Sequence, residues 1–454
     1  MLSSRGCIFV LIWAYSQVAQ AYTKFEPECT NPKEAVNFVS SPPTRGTLDI
    51  LWSSLFTIFA CTWSVLHLNV PQQRVNRDPG ILGDLKWGIK TVLSKTKWML
   101  YTVLAPEVLL LYAVARLVSA WEQHPEIKAF ADADRVPWTL AHTTFADMGG
   151  FVVRGRSDRI GGVSPGSEMP TAPIQTQVNE SDPISDYANE WYILDLKTIR
   201  RLRSEGHITL PCILKAEIDD HSKGDTFTKV IAATQIIWTI ANAITRACRG
   251  LAISQLEVSV VAFAVCALLI YASYWYSPKD VSVPITFLQW RGPVPSTIAK
   301  IIVKGVVSTR PKRYVGVKTG QAPFRNTFAY DNKSRLDVYT LFWGAFFFGG
   351  PHLLAWNFTF PTPAERIIWR ATSLYCSSVG LIIYFFFYVL EKPLKNLDIE
   401  WSNTSRFLDF LSYIIMAIYL LARLFLLVET FRTLLFLPPS AYIATWTSSV
   451  PMFG

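Results

Sequence analysis

A chain of 454 residues in which half the side chains are hydrophobic, 14% are aromatic and only 17% are charged is too lean in charge for two or three water-soluble domains. The formal charge of +9 would suit nucleic acid. However, the basic residues lie in loops beside apolar segments, with no basic helix and no zinc-finger spacing, which excludes nucleic acid and leaves the lipid bilayer as partner.

The apolar residues come in blocks of about 20, the length a helix needs to cross about 30 Å of hydrocarbon. Residues 1–21 read as a secretory signal peptide: Arg5, a short apolar run from Cys7 to Tyr15, then Ala19-Gln20-Ala21 with small residues where a signal peptidase cuts. Residues 22–46, with Pro42-Pro43, are expected to form a lumenal arm. Residues 47–120 hold the first two transmembrane helices, at about Thr47–Leu68 and Trp98–Ala120. Between them Arg74, Arg77, Lys86, Lys90, Lys95 and Lys97 mark a cytoplasmic loop.

Residues 121–227 form a polar insertion, too long for an ordinary connection. Its centre, about 154–185, is rich in Gly, Ser and Pro and is predicted to be disordered. The flanks "WTLAHTTFADMGGFVV" and "WYILDLKTIRRLRSEGHITLP" read as ordered, the second as an amphipathic helix ending near Gly206 and leading to a short extended piece. Membrane helices 3 and 4 occupy 228–276, a basic loop covers 277–335, helices 5 to 7 fill 336–428, and 429–454 is a C-terminal tail. The expected fold is an all-α polytopic transmembrane bundle of about seven apolar helices.

If all seven cross, the loop 277–335 is lumenal, yet it carries eleven Lys and Arg against Asp280 and Asp331, a cytoplasmic bias. The conflict disappears if the segment at about Thr228–Thr245, which carries Gln235 and Asn242 and is bordered by Lys229, Arg246 and Arg249, lies in the interface. Glycosylation at the sequons Asn179, Asn332 and Asn403 would discriminate the topologies; Asn357 sits too near a boundary. Cys29 and Cys212 are the pair that a lumenal disulfide would join, and no CxxC spacing supports a zinc site.

Several segments in order, among them "RGTLDILWSSLFTIFACTWSVLHLNVP", "KWMLYTVLAPE", "FADMGGF", "IDDHSKGDTFTKVIAATQ" and "FGGPHLLAWNFTFPTPAERIIWR", resemble a widespread uncharacterised group of fungal multi-pass integral membrane proteins. The resemblance covers most of the chain and implies membrane residence; no settled activity comes with it. Some members sit in specialised-metabolite gene clusters, which implies a terpenoid or lipid-like substrate. Ser54 and the terminal "VPMFG" depart from the group's pattern.

An ionisable side chain within a span costs about 3 kcal/mol unless it lines a protein interior. Glu107, beside Pro106 in the second span, is the leading acid or base; Arg116 is the nearest partner in sequence. Arg423 and Glu257 are further charges in or beside apolar segments and, with Arg116, candidate substrate-binding groups, while Glu429 ends the last span. Asp219 and Asp220 in "EIDDHSKGD" are catalytic candidates that would hold Mg²⁺ only if the substrate is a diphosphate; no other cofactor is indicated. His352, after Gly349-Gly350-Pro351, is a candidate acid or base where a broken helix exposes it to a cavity. His142 and Asp147 flank a glycine turn at Gly149-Gly150 whose plainest role is close packing. Three classes of function remain: an enzyme acting on an apolar small molecule by cyclase or isomerase chemistry, a transporter or channel, and a receptor or scaffold. The compartment expected is a membrane of the secretory pathway: endoplasmic reticulum, vacuole or plasma membrane.

Overall fold

The computed structural model describes residues 44–71, 73, 80–156, 189–222, 226–290, 294–306, 335–385 and 401–445. In chain order the helices are α1 (Thr47–Ser64), α2 (Ile81–Leu104), α3 (Pro106–Asp134), α4 (Leu140–Asp147), α5 (Leu196–Ser204), α6 (Lys215–His221), α7 (Thr226–Cys248), α8 (Gln255–Ser273), α9 (Ser296–Val306), α10 (Arg335–Gly349), α11 (Pro363–Tyr384) and α12 (Trp401–Arg432). Three strands accompany them, β1 (Phe151–Arg156), β2 (Asn189–Leu194) and β3 (Ile285–Gln289). The chain is therefore mostly helical but not all-α. The residues fall into two parts, a helical bundle and an α/β cap.

Among the described residues three helices are long and apolar enough to cross a membrane: Gln255–Ser273, Pro363–Tyr384 and Phe410–Phe436. A fourth arises if the bent pair α2 and α3 counts as one broken span. About seven spans is thus not supported, and each shortfall has a local cause. The expected second span is two helices meeting at Ala105 with a bend of 108°, because Pro106 has no N–H to continue α2 and its fixed φ suits the first turn of a new helix. α1 carries Ser and Thr along its buried side. α10 has 15 residues, and after Gly349 the chain tightens into a 3₁₀ turn, Gly350–Asn357. α7 is not among the apolar spans.

Part of the bundle turns large apolar residues outward. α11 buries Ser373, Cys376, Ser377 and Gly380 and exposes Ile367, Ile368, Leu374 and Leu381. Small residues inside let backbones approach closely. A Cβ on Gly380 would lie 2.3 Å from the Cα of Phe342, and one on Gly349 would lie 2.5 Å from the Ser377 nitrogen, so α10 and α11 touch backbone to backbone.

The cap is built from the two flanks of the insertion plus the loop after α8. β1 pairs antiparallel with β2 and parallel with β3, with an irregularity between Val152 and Val153. Trp138, Phe145, Phe151, Leu194, Ile199, Leu202, Phe287 and Ile302 fill its core. Gly149 has φ +75°, and a Cβ on Gly150 would lie 2.5 Å from the Phe145 ring, so this glycine pair does serve a tight turn and close packing. The insertion's expected disordered centre begins inside β1, at 154–156; residues 157–188 lie outside the description. The basic loop 277–335 likewise contains β3 and α9. α3 joins the two parts as one continuous rod: Leu109, Leu110 and Ala113 belong to the bundle core, Ile127 and Ala131 to the cap core.

Candidate functional site: a buried charge pair at a broken helix

Where α2 stops, its last carbonyls lose their helical donors. Arg423 of α12 supplies replacements, donating from Nε to the Leu104 carbonyl at 2.8 Å and from a terminal nitrogen to that of Val103 at 3.3 Å. Its guanidinium also lies 4.0 Å from the centre of the Phe348 ring. A cation is well placed at a helix C-terminus and an anion at an N-terminus. Glu107 fills the second role, buried in the first turn of α3 and accepting from its own backbone N–H. The two charges interact across the break. Glu107 Oε2 is buried and has no hydrogen-bond partner among the described residues.

Four neighbours border this polar core. His352, in the 3₁₀ turn, is buried between Phe348 and Trp369; its Nδ1 meets the Phe348 carbonyl at 3.0 Å and its Nε2 meets Ser259 Oγ at 3.3 Å. Cys266 and Cys376 stand within electrostatic reach of Glu107 and Arg423. Gly344 of α10 brings its backbone against Glu107, where a Cβ would sit 3.1 Å from the glutamate's own. A cavity of about 20 Å³ borders Arg423, His352 and Ser259, room for a single water and no larger molecule.

The other expected site residues go elsewhere. Arg116 does not pair with Glu107: it donates to Asn69 Oδ1 at 2.6 Å and to Tyr112, and stacks near Tyr274 at 5.8 Å. This cluster abuts Asp147 at the end of α4, whose carboxyl burial pushes up to about 7; Arg116 and Lys197 draw it back, and Asp195 raises it further. His142 is buried, with Nε2 at 2.9 Å from the Ile213 carbonyl, and burial lowers its pKa. Glu257 forms a two-pronged pair with Arg45 at 2.6 and 3.1 Å and caps α8 through Ser254. Glu429 pairs with Arg432, which also reaches Glu365.

Asp219 is exposed and paired with Lys215 at 2.6 Å; Asp220 is exposed on the same short helix. Neither approaches the polar core through any of these contacts, and among the described residues no three His, Cys, Asp or Glu side chains converge as a metal site. Asn179, Asn332 and Cys29 lie outside the described residues, Asn403 falls in the first turn of α12, and Cys212 is exposed.

One arrangement was invisible to sequence reasoning. Buried Arg246, expected only as a border charge of an interfacial helix, spreads its guanidinium over the carbonyls of Ala252, Ser440, Ala441 and Ile443 at 2.8 to 3.0 Å. Three of the four partners lie nearly 200 residues away, where no helical period signals them.

A groove of about 600 Å³ lies beside this clamp, between α7, α8, the 3₁₀ turn and the chain at Leu437-Pro438. Ile240, Ala243, Ile244, Ala247, Val258 and Leu354 give it an apolar wall. Its polar groups gather at Thr359, whose carbonyl accepts from Gln255 Nε2 at 2.9 Å, with Asn357 two residues away. The residues lining it include no carboxylate, imidazole or thiol.

Fold and site together define a helical bundle with three helices long and apolar enough to cross a membrane among the described residues, a polar core at a helix break and an α/β cap. The chain belongs to a family of unknown function, DUF8562, whose model matches residues 18–163, 188–315 and 332–453. No curated protein and no solved structure matches it.

Proposed function

We propose that this is a multi-pass membrane protein that binds an apolar, lipid-like small molecule in the groove between α7, α8 and the 3₁₀ turn. The groove carries the reading: its volume of about 600 Å³ lies within the range of small-molecule sites, roughly 300–1,000 Å³, and an apolar wall with a few gathered polar groups is their usual construction. The amides of Gln255 and Asn357 would orient a polar end, and the alanines of α7 leave room for the apolar body. The test is mass spectrometry of molecules that co-purify with the full chain in mild detergent. A defined apolar species retained by the natural protein and lost from Ala247→Trp, with unchanged thermal stability, supports the reading; the same species retained by the variant refutes it.

A second reading has its own observation. The orphan oxygen of Glu107, within electrostatic reach of Arg423, which in turn acts on His352, favours acid or base work on such a molecule, the enzyme of terpenoid or lipid-like metabolism expected from sequence, or proton-linked movement of the bundle in transport. The cavity there holds no substrate as it stands, so chemistry at Glu107 requires the helices around the break to part. Glu107→Gln decides: loss of product, or of uptake into proteoliposomes, with the groove molecule still bound favours this reading, whereas unchanged turnover assigns Glu107 to structure.

A further inference from the structure

α2 presents a face that nothing among the described residues covers. Leu82, Leu85, Ile89, Val92, Leu93 and Leu100 are each half or more exposed, and at 3.6 residues per turn they fall within about a third of the helix circumference. Lys86, Lys90 and Lys97, all exposed, follow next around that circumference. Two are held over aromatic rings, Lys90 at 4.5 Å from Trp87 and Lys97 at 5.6 Å from Tyr101. On the opposite flank Lys95 is tied to Asp280 at 2.7 Å, which fixes the rotation of the helix about its own axis. The 108° bend at Ala105 turns α2 off the path of α3, and Arg423 holds its C-terminal end in the bundle.

We propose that α2 is an interfacial helix that docks on an anionic lipid leaflet, its leucine and isoleucine face in the acyl boundary and Lys86, Lys90 and Lys97 at the headgroup phosphates and carboxylates. The occupant follows from charge. An apolar stripe alone would suit a second copy of the chain, but three cations packed along one edge of it repel their own copies and attract anionic headgroups, and lysine with tryptophan and tyrosine at the boundary is the composition of surface-bound helices. The loop that contains these lysines is also the one that the positive-inside rule assigns to the cytoplasm, where the leaflet is anionic. The proposal is independent of what the groove binds.

Hydrogen–deuterium exchange of the full chain in nanodiscs tests it. Peptides from residues 81–100 are expected to exchange at least about tenfold more slowly in discs containing phosphatidylserine than in pure phosphatidylcholine, since each lysine at an anionic surface contributes about fivefold. The difference collapses in ~0.5 M salt, where the screening length falls well below its ~10 Å value at 0.1 M. It collapses also in the Lys86→Gln/Lys90→Gln/Lys97→Gln variant, whose fold is checked by unchanged protection of α8. Equal exchange in both lipids, or a lipid difference that survives in the variant, overturns the proposal. Protection that follows the number of chains per disc rather than the lipid overturns it in favour of a second copy.

Discussion

Arg423 and Glu107 stand on either side of a single break in the chain, within electrostatic reach of one another, the guanidinium closing the end of α2 and the carboxyl opening α3. Each charge does for one helix end what water or a neighbouring residue does elsewhere, which explains how both are retained in an apolar interior. The same economy leaves Glu107 Oε2 without a partner, and this atom separates a structural device from a working one.

Removing one member should therefore cost far more than removing both. Arg423→Met leaves Glu107 buried without its counter-charge and two carbonyls without donors, and is expected to cost ~3–5 kcal/mol. Adding Glu107→Gln to that variant should recover part of the loss. Thermal unfolding of the single and double variants in one detergent measures the coupling; additive losses would mean that the two groups do not act as a pair.

Backbone contact between α10 and α11 makes Gly380 the least replaceable residue of that interface. A methyl there meets the Phe342 backbone at 2.3 Å, so Gly380→Ala should force the helices apart at a cost of roughly 1–3 kcal/mol. Gly88 of α2, with nothing within 4 Å of an added Cβ, is the matched control, where alanine should be neutral or stabilising. Comparison of the two melting temperatures settles the point.

Asp147 gives the cap a pH dependence of definite sign. Burial raises its carboxyl from 3.8 to about 7 in the folded chain, so between those values the folded state holds a proton that the unfolded state has lost. Its contribution is most favourable below pH ~4 and is lost as the pH rises through ~7. The difference in unfolding midpoint between the natural protein and Asp147→Asn should widen from pH 5 to pH 8 to the natural protein's disadvantage. A difference that stays constant over that range would show that Asp147 does not titrate there.

Arg246 offers a fourth test. Its forked guanidinium reaches four carbonyls, which a lysine's single ammonium cannot span. Arg246→Lys should keep the charge yet release the chain at 440–443, seen as faster hydrogen exchange there with α8 unchanged. Unaltered exchange would mean that other contacts hold this segment.

What was legible in the sequence follows the range of the interactions. α8, α11 and α12 announce themselves through continuous apolar windows, since a span is a property of about twenty adjacent residues. Pro106 was legible as a residue with no N–H for the helix ladder, and the carbonyls just before it receive Arg423. The 108° turn was not readable, because proline permits a kink or a stop and only the neighbours decide which. Glu107 and Arg423 were each visible as buried charges, but their proximity, like the Arg45–Glu257 and Arg246 contacts, joins residues 194 to 320 apart, and no periodicity encodes that. The small sheet was missed for a similar reason: β1, β2 and β3 are five or six residues each and become a sheet only when partners distant in sequence arrive.

The clamp at Arg246 also imposes an order of events. A chain growing from its N-terminus makes α7 long before residues 440–443 exist, so this guanidinium waits through the synthesis of nearly half the protein before three of its four carbonyls appear. Until then the corner where Arg45, Glu257 and Arg246 gather holds more positive charge than it can satisfy. Residues 440–443 therefore act as a keystone: without them the Arg246 guanidinium keeps only the Ala252 carbonyl of its four partners.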